Sequence, residues 1–208
     1  MYIPKKFAET DITVLHQFMS ANNFAALVTH HDGELLASHL PFMVDTTRGE
    51  YGVLVAHLAR ANPQWKHLTA GSEVMVLFQG AHAYISPSWY EEHPSVPTWN
   101  YTAVHAYGLP RLIEDETHIR AMLHDLVDYH EQSRTPAWEL NAPDDYMQRQ
   151  IKAIVAFEIP ITRLEGKYKL SQNRSEADQQ HVIDALGSSK HPLERQTAAL
   201  MHDRKQHS

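Results

Sequence analysis

The chain has 208 residues, 43% of them hydrophobic and 21% charged, and contains no cysteine. That length supports one domain with its own core and modest appendages, and the missing cysteines exclude disulfides, thiolate chemistry and iron–sulfur clusters. A formal net charge of -7 argues against a non-specific grip on nucleic acid, which draws on a basic surplus or a basic face.

The opening residues, MYIPKKFAETD, lack the apolar core of a signal peptide. No apolar run approaches the roughly 20 residues that span a bilayer, so the expectation is a cytoplasmic protein with no membrane partner. Asp11 is placed to cap a first helix carrying Val14, Leu15, Phe18 and Met19 at helical spacing. Short strands are expected over 24–29, 34–40, 51–57, 73–79 and 83–86, and His31-Asp-Gly-Glu34 carries the Asp-Gly pair of a tight hairpin. Between the third and fourth of these lies a helix that Asn62 caps, Pro63 opens and Gly71 ends. A strand over 101–108 follows, then a long helix from Asp115 with Ile119, Met122, Leu123, Leu126 and Val127 in one stripe. A loop over 133–143, a short helix over 144–152 and a last strand over 154–161 come next. The tail reads as two helices, 175–186 and 192–204. Sequential strands with little helix between them indicate antiparallel pairing, and the fold class is mainly β with flanking helices, α+β.

Three stretches carry chemistry. In His57-Leu-Ala-Arg-Ala-Asn-Pro-Gln-Trp65 a strand ends, an arginine follows and a capped helix begins. Helix N-termini favour anions and the Arg60 fork matches phosphate oxygens, while a plain capped helix beside an exposed arginine is the bland alternative. Trp89, Tyr90, Trp99 and Tyr101 could wall a planar heterocycle, although most aromatic clusters are core or interface. Lys167–Arg174 is a polar, basic turn able to meet an anionic ligand, to hold a second subunit, or simply to sit in solvent.

Together these stretches resemble the PaiB-like family, the FMN-binding negative transcriptional regulators. The resemblance rests on Met1-Tyr-Ile-Pro4, Ser38-His-Leu-Pro-Phe42, His57–Trp65, Phe78-Gln-Gly80 with Tyr84–Tyr90, Val96–Tyr101 with His105, and Lys169–Arg174. It implies an FMN-binding split β-barrel of the pyridoxamine-phosphate-oxidase type over 1–170, with a helical extension over 171–208 packed on the barrel or on a partner. It also implies a homodimer with FMN at the interface. By the same resemblance Arg60 and Asn62, in the run that begins at His57, take the phosphate. Ser38, His39 and Leu40 line the flavin, and Gln79 reaches its polar edge or ribityl chain. Trp99 and Asn100 approach from the partner subunit, and Gln172 and Arg174 close the site.

Other readings are weaker. The 16 histidines show no i, i+2 or i, i+4 pair, and His118, His124 and His130 recur every six residues, so no metal site is expected. No Gly-x-Gly-x-x-Gly or Walker pattern and no nucleophile elbow is present. For function, a repressor is the family's implication, with DNA binding possible but not supported by charge. A flavin-dependent oxidoreductase is the first alternative and a haem-binding or haem-degrading split-barrel protein the second. No residue is identifiable as catalytic. The tail helices, linked through Gly187-Ser-Ser189, look too far apart for a helix-turn-helix.

Overall fold

The Asp-Gly pair folds as its position requires. Asp32 and Gly33 take φ of 48° and 80°, the left-handed conformations of a tight hairpin, and close β2 on β3. In a computed structural model, which describes residues 1–206, the chain forms β1 (Ala8–Glu9), α1 (Ile12–Ala21), β2 (Phe24–His31), β3 (Glu34–Pro41), β4 (Met43–Asp45) and β5 (Val53–Ala59). Then come β6 (Val74–Ile85), β7 (Thr98–Gly108), β8 (Arg111–Ile113), α2 (Glu116–Glu131), α3 (Asp144–Lys152), β9 (Ile154–Lys169), α4 (Glu176–Gly187) and α5 (Pro192–Gln206). His207 and Ser208, the end of the expected extension, lie outside the described residues. No described helix is long and apolar enough to cross a membrane.

The strands hydrogen-bond in the order β3-β2-β6-β7-β9-β5-β4, with β1 and β8 added against β9. β1 with β9, β2 with β3 and β6, β5 with β4 and β9, and β8 with β9 all pair antiparallel, and the β2–β3 hairpin holds register from Phe24 opposite Pro41 to His31 opposite Glu34. β3 and β4 are therefore the edges.

The residues group into two units. The hairpin unit comprises Met19–Leu77 and Ala106–Leu164. Its core includes Leu27, Phe42, Leu54, Leu58, Val76, Phe157 and Ile159, and Phe42 meets Phe157 edge to face at 6.3 Å. A second cluster of Ile113, Ile119, Met122, Ile151 and Ala156 lies under α2 and α3. The tail unit comprises Met1–Phe18, Phe78–His105 and the residues from Glu165 onward. Its core includes Phe7, Leu15, Phe78, Ile85, Val104, Leu170, Val182, Leu186 and Met201.

Capping explains the helix starts. Asp11 Oδ1 accepts from Thr13 N at 2.8 Å, Asp115 from His118 N, and Ser175 from Asp178 N. α2, α3, α4 and α5 fall within about two residues of their expected limits. Four features depart from the sequence reading. The strands expected over 73–79 and 83–86 are one continuous β6, in which buried positions alternate up to Gly80 and then invert at Ala81. Gly80 is there for space, since a Cβ would lie 2.5 Å from Thr102 Oγ1 and 2.7 Å from the Phe18 ring. The last strand runs on to Lys169, because β1 pairs with its far end at Ala8 opposite Lys167. β1, β4 and β8, of two or three residues each, were too short to register as periodic patterns. Finally, Pro63–Thr69 is a 3-10 helix rather than an α-helix, followed by Gly71 at φ 70°.

Candidate functional site

In the hairpin unit, the segment leaving β5 folds back onto edge strand β3. Asn62 joins the two: its Nδ2 donates to Ser38 Oγ at 2.9 Å, and its Oδ1 accepts from Gln64 N at 3.0 Å. The Ser38 hydroxyl thus serves as acceptor there, and its own proton is left to donate elsewhere. Arg60 is anchored without being neutralised. Its Nε donates to Lys152 O at 3.0 Å and its Nη2 to Ile154 O at 2.8 Å. Both partners are neutral carbonyls, so the full charge and about three of the five N–H donors remain available.

The anion expectation needs one correction. The 3-10 helix is a single short element, and its first free N–H, that of Gln64, is already taken by Asn62. The uncommitted donors beside this segment are those of the Arg60 and Ser38 side chains rather than the first N–H of the helix.

The flanking expected residues differ in access. Leu40 is half-buried, while His39 is exposed and stacks on Phe24 at 6.0 Å with 29° between the rings. His57 is half-buried on β5, opposite Ala156, and burial holds its imidazole below the ordinary pKa, so it is neutral at pH 7.

Two further residues were missed by sequence reasoning. Gln64 is 1% exposed, and its Nε2 lies 3.1 Å from Leu27 O, 3.2 Å from Thr29 Oγ1 and 3.2 Å from Leu36 O. It therefore ties the post-β5 segment to both strands of the hairpin, while its Oε1 is buried without a partner. His67, also buried, has Nδ1 3.0 Å from Thr29 Oγ1 and Nε2 3.6 Å from Glu34. The available signal was spacing: Gln64, His67 and Leu68 stand at i, i+3 and i+4, one inward face with two polar members.

The tail unit holds the other expected residues, in a different manner. Trp99 is 53% exposed and lies within about 6 Å of the His82 and Tyr84 rings, with Gln79 exposed nearby at 3.5 Å from His82. Asn100, by contrast, is 1% exposed: its Nδ2 donates to Ser171 Oγ at 2.9 Å and approaches Met201 Sδ at 3.3 Å. Gln172 folds onto its own turn, accepting from Leu170 N and donating to Tyr168 O. Arg174 lies 4.1 Å over the buried Tyr90 ring and donates to Ser95 Oγ. Lys169 donates to Trp99 O and Thr98 Oγ1. Burial, then Lys167 and Arg174, hold its pKa below the usual lysine range. Ser86 caps the turn at Pro87, accepting from Ser88 N.

The chain matches the family described as "Putative FMN-binding domain" over residues 1–163. It is 38% identical over 205 residues to the protease synthase and sporulation protein PAI 2 of Bacillus subtilis, covering 98% of both chains. Among solved structures it resembles the flavocytochrome Anf3 of Azotobacter vinelandii, with TM-score 0.63 and 15% identity over 85% of this chain and 77% of that one. It also resembles an FAD and heme binding protein of Mycobacterium smegmatis, with TM-score 0.62 and 19% identity over 82% and 78%. At these identities the structural likenesses establish the fold, the α+β split-barrel class, and the sequence match carries the lineage. The chain belongs to the PaiB-like family of FMN-binding proteins, and flavin is its cofactor class.

Proposed function

We propose that the chain binds FMN by its phosphate at Arg60, Ser38 and Asn62, and that it acts as a cytoplasmic, homodimeric repressor of the PaiB type. One observation carries the flavin site: Arg60 is fixed by two neutral carbonyls and keeps its charge, 22 positions along the chain from a serine whose proton is uncommitted and to which Asn62 is bonded. A dianionic phosphate needs such donors, already oriented and not neutralised by a carboxylate. The residues present therefore fit the group. His39 and Leu40, on the same strand as Ser38, supply flat and apolar surface beside it, and neutral His57 adds no competing charge. Gln64 supports this reading by fixing the segment that bears Asn62. When bound, FMN supplies electron or hydride transfer; the chain's residues bind and orient it.

Trp99 and Gln79 are proposed as further flavin contacts because they are accessible. Asn100, Gln172 and Arg174 are proposed to act one step back, by holding the backbone around Trp99 and the post-β9 turn. The stretch 171–208 is proposed as a helical extension. α4 ends at Gly187, so Ser188–His191 is short enough for a helix-turn-helix, closer than the sequence suggested. Burial of Thr197, Ala198 and Met201 along α5, and Arg204 bonded to Glu9, favour a packed support over a DNA-reading helix.

FMN titration followed by quenching of flavin fluorescence tests the site: saturable binding in the parent, weakened at least tenfold in Arg60→Ala, is the expected outcome. Equal affinity in the two would sink the phosphate assignment. A promoter-fragment gel shift that persists at physiological salt separates the repressor from a flavin oxidoreductase, which would instead turn over NADH or NADPH.

A further inference from the structure

We propose that the buried Gln64 is a positioning residue that makes the flavin site prefer FMN over riboflavin, by keeping the Ser38 proton free for the phosphate. The inference rests on the flavin reading and adds to it the group that decides between a phosphorylated and an unphosphorylated ligand.

The serine proton is available in only one orientation of the Asn62 amide. A backbone N–H can only donate, so the Gln64 N–H fixes Oδ1 of Asn62 on its own side, at 3.0 Å. That leaves Nδ2 to face Ser38 Oγ, at 2.9 Å, and the hydroxyl must accept. With the amide turned over, Oδ1 would face the hydroxyl, Ser38 would donate to it, and its proton would be spent inside the protein. The choice between the two orientations therefore lies with the N–H of Gln64.

The Gln64 side chain pins that N–H from the far side. Its Nε2 can only donate, and it lies 3.1 Å from Leu27 O and 3.2 Å from Leu36 O, acceptors on both strands of the hairpin. Leu27 stands directly opposite Ser38 in the β2–β3 ladder. Gln64 thus grips the residue across from Ser38, while its backbone steers the residue bonded to Ser38. The two ties run in antiparallel steps, Asn62 to Ser38 and Gln64 to Leu36, so side chains stitch the segment to β3 at two rungs. His67, one turn further along the same helix, meets Thr29 Oγ1 at 3.0 Å, the hydroxyl that Gln64 Nε2 also approaches at 3.2 Å.

Packing does not account for this residue. Gln64 is 1% exposed, and its Oε1 has no partner among the described residues. A buried carbonyl oxygen without a donor costs stability, and methionine would fill a similar volume without that cost. What glutamine has and methionine lacks is a pair of N–H donors, and both find acceptors on the hairpin that carries Ser38.

Riboflavin has the isoalloxazine and ribityl chain of FMN and lacks only the phosphate, so the ratio of the two affinities isolates the phosphate contact. Both are titrated against the full-length protein by quenching of flavin fluorescence. Gln64→Met should weaken FMN about tenfold, the worth of one hydrogen bond to a charged group, and leave riboflavin within about twofold. Gln64→Asn, polar but too short to span both carbonyls, should lower the ratio in the same direction and decides the matter should Gln64→Met not fold. In a Ser38→Ala background Gln64→Met should lower the ratio no further, because the proton it protects is gone. An unchanged ratio, equal loss of both flavins, or a full-sized loss without the serine hydroxyl would each overturn the inference. Arg60→Ala separates the two readings. If it leaves the FMN preference intact, the phosphate assignment itself is wrong; if it removes the preference while the Gln64 variants keep it, only the role of Gln64 is wrong.

Discussion

The segments that follow β5 and β9 use similar residues in opposite ways. After β5, Arg60 and Asn62 reach across to other elements and leave donors over: Arg60 meets only carbonyls, and the hydroxyl of Ser38 accepts from Asn62 and keeps its proton. After β9, Gln172 is spent on its own turn, Arg174 lies on Tyr90 and Ser95, and Asn100 is buried on Ser171. The accounting of donors separates the amides, which are spent after β9, from the two arginines, which both keep free N–H groups: Arg174 gives one to Ser95 Oγ and Arg60 gives two to carbonyls.

That contrast can be broken most directly at Arg60. Hydrogen bonds to charged groups contribute roughly 1.5–3 kcal/mol, so Arg60→Ala should weaken FMN by about tenfold to a hundredfold with little change in the urea midpoint. Asn100→Ala should do the reverse. Removing a buried amide and leaving Ser171 unpaired costs about 1–3 kcal/mol, seen as a lower urea midpoint. A large loss of FMN affinity in the folded variant, with no change in stability, would instead make Asn100 a direct contact. Arg174→Ala is smaller still: loss of the Tyr90 contact costs about 0.5–1 kcal/mol of stability in the same measurement.

The smallest effect is pH-dependent and sharpens the role of His57. Its folded pKa is depressed by burial from the ordinary 6.5. The stability this imidazole contributes is complete above 6.5 and is lost as pH falls toward the folded value, because the unfolded chain takes up the proton first. His105 in the tail unit is shifted the same way, burial again first among the causes. Urea midpoints measured from neutral pH downward should therefore fall. His57→Gln should flatten the curve by at most about 1.4 kcal/mol per pH unit. An unchanged slope would mean that His57 is solvated.

Much of the architecture was legible because its signals are local. Asp32-Gly33, Asp11, Asp115 and Ser175 act within a turn of themselves, and each does what its type and place suggest. What escaped depends on distant partners. The length of β9 rests on pairing with β1, far off in sequence, and the 3-10 form of Pro63–Thr69 goes with Gln64 being drawn into the β2–β3 hairpin. The candidate site divides similarly. Residue types and order pointed to Arg60 and Asn62, and the family resemblance added Ser38, whereas the burial of Asn100 needed the packing of α5 to become visible.

The inversion of β6 at Gly80 bears on mutational tolerance. A methyl group there would have to displace the Phe18 ring and the Thr102 hydroxyl, and overpacking of this kind costs about 1–3 kcal/mol. Gly80 lies one residue from Gln79 and two from His82, so its substitution would also re-aim the exposed face that ends in Tyr84. In a saturation scan, this position should therefore tolerate less than the surface residues around it. Its losses would appear as low yield of soluble protein, well before any cofactor is added.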